Sequence, residues 1–175
     1  MAHLAHLRPH LIVHDRAQMF VPTILGQGTE EQKKELLPKC NSLEIIGTYA
    51  QTELGHGTFL RGLETTATFV QSSDQFIIHS PTLTATKWWP GGLGKTSTHA
   101  VVMARLFLAG KDYGPHAFIV QLRDLKTHKT LPGIKVGDIG PKFGAHHPSP
   151  QGHCRRTAKH CSTVPIVAYL DTQNV

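Results

Sequence analysis

The sequence contains two glycine-rich stretches, YAQTELGHGT at residues 49–58 and KWWPGGLGKT at residues 87–96. Each follows a run rich in β-branched and apolar residues, LEIIGTY at 43–49 and QFIIH at 75–79. Glycine lets backbone amides approach a ligand closely, and tryptophan offers a flat apolar surface. We therefore expect two loops on one sheet that face a flat ligand rich in hydrogen-bonding groups.

Length and composition favour one mildly basic soluble domain. The 175 residues suffice for a sizeable core, and 39% hydrophobic against 17% charged residues is a globular composition. The net charge of +6 arises without any run of Lys or Arg longer than two residues, so no nucleic-acid partner is predicted. No apolar run approaches the length of a membrane-spanning helix. The three cysteines are odd in number and residues 1–13 do not resemble a signal peptide, which together favour a reducing compartment.

The secondary structure is predicted to begin with a helix and to continue with strands. Thr29 and Gln32 form a capping-box pattern, so a helix is expected to begin there and to end before Pro38. Turns are expected at Ser72–Asp74 and Gly110–Gly114. This pattern predicts a mainly β fold with an N-terminal helix, arranged as an antiparallel barrel or sandwich. The predicted strands are 43–50, 64–70, 75–80, 97–108, 115–124 and 133–136.

The composition changes after Gly144. HHPSPQGH at residues 146–153 is loop-like, and VPIVAYL at 164–170 is a lone apolar segment. One such segment offsets only a fraction of the entropy lost on ordering about thirty residues, at ~1–2 kcal/mol each. We therefore expect a disordered or loosely packed tail over residues 145–175, which protease should remove near 146–156.

Further motifs accompany the two loops in order along the chain. They are MFVP at 19–22, RGLETTAT at 61–68, HAFIV at 116–120 and GDIGPK at 137–142. Together with the two loops, this series resembles the middle domain of the acyl-CoA oxidases, flavin enzymes related to the acyl-CoA dehydrogenases. The resemblance divides the chain into the end of an N-terminal helical domain, the middle β-domain and a divergent tail, at residues 1–40, 41–144 and 145–175.

The resemblance implies an enzyme of fatty-acid β-oxidation. Acyl-CoA oxidases use FAD to convert fatty acyl-CoA to trans-2-enoyl-CoA, and oxygen reoxidises the flavin with formation of hydrogen peroxide. The family forms homodimers in peroxisomes, although the last residues here do not match a peroxisomal address, so a cytoplasmic location stays open. The family's catalytic base is a glutamate of a further helical domain. Because these 175 residues do not include that domain, the chain is interpreted as a truncated or alternatively terminated oxidase that is inactive alone.

Individual cofactor contacts also follow from the resemblance. It implies that the Thr52 hydroxyl hydrogen-bonds the isoalloxazine ring and that the Gly91 backbone contacts the flavin. Gln51, Trp88 and Trp89 complete the predicted cofactor site. Simpler interpretations stay open, since a threonine at a strand end is often a surface residue and a glycine often serves only a turn. At least one of the two indoles is expected to be a core anchor.

Substrate contacts are predicted for Thr58 and Arg61, which would approach the thioester tail or the CoA phosphates. A solvated surface charge is the simpler account of Arg61. The related dehydrogenases carry a hydroxyl residue where this chain has Pro90, so no side-chain hydroxyl contact is expected there. No catalytic residue is assigned, because Glu53 and Glu64 match no catalytic-base motif.

Other functions receive less support from the sequence. GKT at 94–96 resembles the end of a P-loop, but Trp89 stands where that motif requires glycine. The histidines and cysteines of the tail do not fall at zinc-finger spacing, so no metal site is predicted among His146, His147, His153, Cys154, His160 and Cys161. The alternative function is a non-catalytic β-domain that acts as an interaction module. A yellow purified protein would favour the flavoprotein, and a colourless one that binds a full-length oxidase would favour the module.

Overall fold

The computed structural model describes residues 19–138, 162–163 and 167–171. Two helices come first, α1 (Val21–Gln27) and α2 (Glu30–Asn41). Strands follow, so the mainly β fold with a short N-terminal helical part is confirmed. The strands are β1 (Gly47–Ala50), β2 (Thr66–Val70), β3 (Gln75–His79), β4 (His99–Leu108), β5 (Lys111–Gln121), β6 (Gly137–Asp138), β7 (Ser162–Thr163) and β8 (Val167–Asp171).

Helix α2 begins at the predicted capping box. The Gln32 amide donates to the Thr29 hydroxyl at 3.2 Å, and the Thr29 amide donates to the Gln32 side chain at 2.9 Å. The predicted end before Pro38 is wrong, because the helix continues to Asn41. Proline removes only its own N–H, and the next turn still closes, since the Ser42 amide donates to the Pro38 carbonyl at 3.0 Å.

Strand β4 organises the main sheet. It pairs antiparallel with β5 along one edge, and its other edge is shared by β1 at residues 99–102 and β2 at residues 105–107. Both of the latter pairings are parallel. Strand β2 forms an antiparallel hairpin with β3 through the predicted turn at Ser72–Asp74. The expectation of a purely antiparallel arrangement is therefore wrong for the pairings of β1 and β2 with β4, which are parallel.

The barrel is not confirmed. Among the described residues the strand pairings form an open sheet in the order β1-β4-β2-β3-β8, with β5 attached to β4, and β6 pairs with β7 separately. Two local predictions also differ. Residues 133–136 are not a strand, since a turn with Gly133 at φ 83° intervenes before β6. The turn expected at Gly110–Gly114 is shorter, because Ala109 and Gly110 both adopt positive φ and β5 begins at Lys111.

The last strand of the sheet comes from the segment expected to be disordered. Val167–Asp171 pairs antiparallel with β3 over five residue pairs, from His79 opposite Val167 to Gln75 opposite Asp171. Strand β3 offers a hydrogen-bonding edge to this segment, which is rich in strand-forming residues. The expected disorder or loose packing of residues 145–175 as a whole stays a prediction. The predicted protease region at 146–156 lies outside the described residues.

The core lies on both faces of β4. Ala100, Val102 and Ala104 belong to a cluster with residues of β2, β3 and β5, whereas Val101 packs with the helices. This alternation follows from the two-residue period of a strand. Gly47 in β1 lets α1 approach, since a Cβ there would lie 2.1 Å from the Phe20 ring.

Candidate functional site

A cleft of about 340 Å³ opens where β1 ends, beside the second glycine-rich stretch at residues 87–96, called the tryptophan loop below. It combines hydroxyl, amide, indole and backbone groups from two regions about forty residues apart in the sequence. Pockets with mostly apolar walls and a few polar groups are typical ligand sites. Its lining residues are Met19, Thr48, Tyr49, Gln51, Thr52, Trp88, Trp89, Pro90 and Gly91.

The two glycine-rich loops pair with each other along one side of this cleft. The Trp88 amide donates to the Thr52 carbonyl at 2.9 Å, and the Leu54 amide donates to the Thr86 carbonyl at 2.9 Å. The Gly55 amide donates to the Thr84 carbonyl at 3.0 Å. A Cβ at Gly55 would lie 2.9 Å from the Thr84 side chain, so this glycine is needed for the close approach of the loops.

A fully buried ion pair lies behind the paired loops. The Lys87 ammonium is 3.0 Å from Glu53 Oε1, and both side chains are 0% exposed. Lys87 also donates to the carbonyls of Gln51 at 3.1 Å and Met103 at 2.6 Å. Burial lowers the pKa of Lys87, and the charge of Glu53 opposes that shift. The ammonium therefore joins both loops to strand β4.

The structure brings the predicted cofactor residues together. The same cleft is lined by all five of them: Thr52, Gly91, Gln51, Trp88 and Trp89. A shared flavin site requires that Thr52 and Gly91 face a common cleft, and they do. Their individual roles stay predictions. Thr52 is partly exposed at the end of β1, and its hydroxyl makes no hydrogen bond with another described residue, which leaves that group available to a ligand.

Neither tryptophan is a fully buried core anchor, contrary to the expectation for at least one of them. Trp88 is half-buried, and Trp89 is 56% exposed. Trp89 also adopts a φ of 81°, a conformation that a bulky side chain rarely takes. Such backbone strain is concentrated at binding and active sites. An exposed indole on a strained backbone is therefore better explained by a ligand site than by packing.

The predicted substrate residues lie outside the cleft lining. Thr58 and Arg61 are both exposed, on the segment between His56 and Glu64. His56 Nε2 is 2.9 Å from Glu64 Oε1, so this contact closes the segment into a loop. Hydrogen bonds from the hydroxyls of Thr82 and Thr84, then the contact with His56, lower the pKa of Glu64.

A second buried cation fixes the far end of the tryptophan loop. The Arg123 guanidinium donates to the carbonyls of Leu93 at 2.9 Å and Ser97 at 2.6 Å. Burial lowers the pKa of Arg123. Gly92 begins the turn between them at φ 71°, and its carbonyl accepts from the amides of three residues that follow. The loop that carries the tryptophans is thus held at both ends.

Sequence reasoning missed the pairing of Glu53 with Lys87. No local pattern marks two charged residues 34 positions apart as partners. Tyr49 and Thr48 were also missed as lining residues, although β1 leads into the cleft; the Tyr49 hydroxyl donates to Gln51 Oε1 at 3.2 Å. Burial raises the pKa of Tyr49.

Two negative findings concern the described residues alone. They contain no group of three or more metal-ligating side chains, and the tail histidines and cysteines considered above lie outside them. Their helices include none with the length and apolarity needed to cross a membrane.

Comparison with known proteins identifies the class of enzyme to which this arrangement belongs. The family model "Acyl-coenzyme A oxidase N-terminal" matches residues 4–46. Peroxisomal acyl-coenzyme A oxidase 1 of Bos taurus is 67% identical over 126 residues, which are 72% of this chain and 19% of that protein. The chain belongs to the acyl-CoA oxidase family, as its motifs predicted, and it spans about a fifth of the length of this relative.

Solved structures agree with the sequence matches. Acyl-CoA oxidase 1 of Arabidopsis thaliana has a TM-score of 0.84 at 52% identity, and the match covers 93% of this chain and 24% of its own. Acyl-CoA oxidase-2 of Caenorhabditis elegans, bound with FAD, ascaroside-CoA and ATP, has a TM-score of 0.83 at 43% identity, and the match covers 93% of this chain and 23% of its own. This chain therefore shares the fold of these acyl-CoA oxidases over most of its length.

Proposed function

We propose that this chain forms the flavin-facing side of an FAD-dependent acyl-CoA oxidase, which converts fatty acyl-CoA to trans-2-enoyl-CoA and reduces oxygen to hydrogen peroxide. The observation that carries the proposal is the cleft beside the paired loops, which Thr52 and Gly91 both line. The relatives are named peroxisomal acyl-coenzyme A oxidases, and a solved neighbour is bound with FAD and a CoA ester. We extend the same compartment to this protein.

The residues of the cleft fit a flavin. The Thr52 hydroxyl has no partner among the described residues and suits a ring nitrogen or carbonyl, since a hydroxyl both donates and accepts. Trp88 and Trp89 provide apolar ring surface, and the Gly91 backbone lies at the cleft without a side chain to obstruct a ligand. FAD, when bound, accepts the hydride that leaves the substrate β-carbon.

The residues of this chain would bind and orient rather than transfer protons. Thr52, Gln51 and Gly91 hold the polar edge of the ring, and the two indoles limit its contact with water. Thr58 and Arg61 remain candidates for the CoA portion, where a guanidinium would pair with phosphate. The base that removes the α-proton is assigned to the family's helical domain, and neither Glu53 nor Glu64 replaces it. Glu53 is fully buried in its ion pair.

Titration of the purified protein with FAD tests the proposal. Thr52→Val removes one hydrogen bond and should weaken FAD binding about 2- to 13-fold, the effect of ~0.5–1.5 kcal/mol. Thr68→Val on the exposed face of β2 is the matched control and should bind FAD as the wild type does. Quenching of FAD fluorescence provides the affinity. A wild-type protein that is colourless and does not quench FAD would instead support the interaction module.

A further inference from the structure

The buried pair of Glu53 and Lys87 is positioned to control the geometry of the cleft. Glu53 stands next to Thr52 and Lys87 next to Trp88, and the two charged residues face each other as an antiparallel bridge. Because neighbouring side chains in extended chain point to opposite sides, the charges point inward while Thr52 and Trp88 line the cleft. The link between the loops at this point is the 2.9 Å bond from the Trp88 amide to the Thr52 carbonyl.

Every polar atom of the pair has a partner. The three protons of the Lys87 ammonium are directed to Glu53 and to the carbonyls of Gln51 and Met103. Glu53 Oε2 accepts from the Glu64 amide at 2.7 Å, and Oε1 accepts from the Thr65 amide at 2.9 Å. The pair therefore connects the first loop, the tryptophan loop, the start of β2 and the middle of β4.

The attachment to β4 makes this connection rigid. Met103 lies near the middle of β4, between the segments that pair with β1 and with β2. A backbone carbonyl in that position cannot move without disturbing both pairings. The ammonium thus ties the tryptophan loop to a strand that is paired along both of its edges.

We infer that Glu53 and Lys87 are positioning residues, which hold the Thr52 hydroxyl and the Trp88 indole at the spacing that the flavin requires. The inference rests on the proposed function, because the flavin is the ligand whose affinity the spacing would set. The pair acts through its neighbours and does not itself line the cleft.

The test is a double variant, Glu53→Gln with Lys87→Met. Removing both charges leaves no unpaired buried charge, so the protein should fold. Its melting temperature should fall, because the glutamine amide has one acceptor oxygen for the two backbone N–H groups that Glu53 binds. The hydrogen bonds to the carbonyls of Gln51 and Met103 are also lost. We expect FAD affinity to fall at least about tenfold, as for the loss of one or more buried hydrogen bonds. In the protein without flavin, hydrogen exchange of the Trp88 amide should become faster.

The matched control is Ile78→Ala in β3, a fully buried residue of the core cluster that belongs to neither loop. It lowers the melting temperature at least as much as the double variant but should leave the exchange of the Trp88 amide and the affinity for FAD unchanged. Lys87→Met alone, which leaves Glu53 unpaired, should lower the melting temperature more than the double variant does.

Four outcomes would overturn the inference, in whole or in part. Equal FAD affinity in the double variant and the wild type would show that the pair does not set the cleft. An equal loss of FAD affinity in Ile78→Ala and in the double variant would show that the affinity simply follows the stability of the protein. A wild-type protein that binds no FAD overturns the proposed function and the flavin part of this inference together, whereas unchanged Trp88 exchange in the double variant overturns the positioning role alone.

Discussion

At the scale of single residues, burial rather than residue type decides chemical behaviour. His99 is 7% exposed, and burial together with the nearby charge of Lys39 lowers its pKa to about 4 from an ordinary 6.5. Its Nδ1 lies 3.1 Å from the Thr98 hydroxyl. The sequence contains 13 histidines, and nothing in the composition singles out this one. Its position on the central strand does.

The shift predicts a loss of stability in mild acid. The unfolded chain protonates His99 near pH 6.5, but the folded protein does so only near pH 4. The contribution of His99 to the free energy of unfolding is therefore complete above pH 6.5. It is lost as the pH falls toward 4, by roughly 3 kcal/mol in total. Urea unfolding of wild type and His99→Gln between pH 7 and 4 should show a shallower pH dependence in the variant.

The exposed His79 provides the control for this measurement. His79→Gln is the matched replacement of a histidine at an exposed position, and its slope should differ from that of His99→Gln. Carboxylates of lowered pKa such as Asp112 and Asp124 contribute equally to all three proteins. Identical slopes for His99→Gln and wild type would contradict the assigned pKa shift.

At the scale of elements, glycine has opposite consequences in two places. Gly47 in β1 lies under the Phe20 ring, whereas a Cβ added to Gly26 in α1 would meet no atom within 4 Å. The first position permits helix and sheet to pack. The second only lowers helix propensity.

These environments predict that alanine at the two positions changes the stability of the protein in opposite directions. Gly47→Ala should destabilise the protein by about 1–3 kcal/mol or more, because Phe20 must move. Gly26→Ala should stabilise it by about 0.5–1 kcal/mol, since alanine favours the helix. Melting temperatures of the two variants measure both effects. A Gly47→Ala protein as stable as wild type would show that α1 does not pack on β1 as described.

The pairing of β8 with β3 can be tested with proline. Ala168 and Tyr169 lie opposite Ile78 and Ile77, and their N–H groups point to opposite edges of the strand. Proline at the residue whose N–H faces β3 removes a ladder hydrogen bond, whereas proline at its neighbour faces the outer edge. One of Ala168→Pro and Tyr169→Pro should therefore cost about 1–3 kcal/mol more than the other. Equal stability of both variants and wild type would mean that β8 contributes nothing to the sheet.

At the scale of the whole molecule, this chain corresponds to only part of its solved relatives. The match to the Caenorhabditis elegans oxidase bound with FAD and ascaroside-CoA covers 23% of that chain. Ligand sites normally enclose most of the ligand surface. The cleft of this chain would border an FAD molecule on one side, so most of that molecule would stay solvated. Binding by the 175-residue polypeptide is accordingly expected to be weak.

Catalysis by the 175-residue polypeptide is expected to be absent. With FAD, oxygen and a straight-chain fatty acyl-CoA, it should form no hydrogen peroxide above the level of free FAD, because no base is assigned within it. A peroxidase-coupled assay measures this, with a full-length acyl-CoA oxidase as the positive control. Turnover that Thr52→Ala abolishes would require a base among the residues present and would contradict the assignment.

The sequence alone determined the local features of this protein. Thr29 and Gln32 specify a helix start, the β-branched runs specify most strands, and the two glycine loops identify the cleft residues through their family resemblance. These signals work because capping, turn formation and strand propensity depend on residues close in the chain.

Only the tertiary structure decided how these pieces pair. It placed β1 and β2 in parallel along β4, added Val167–Asp171 to the edge of β3, and joined Glu53 to Lys87. Each of these depends on which distant groups become buried together, and a buried charge or an open strand edge is satisfied by whatever partner the fold brings near. The pairing partners therefore depend on the whole sheet, and no short stretch of the sequence specifies them.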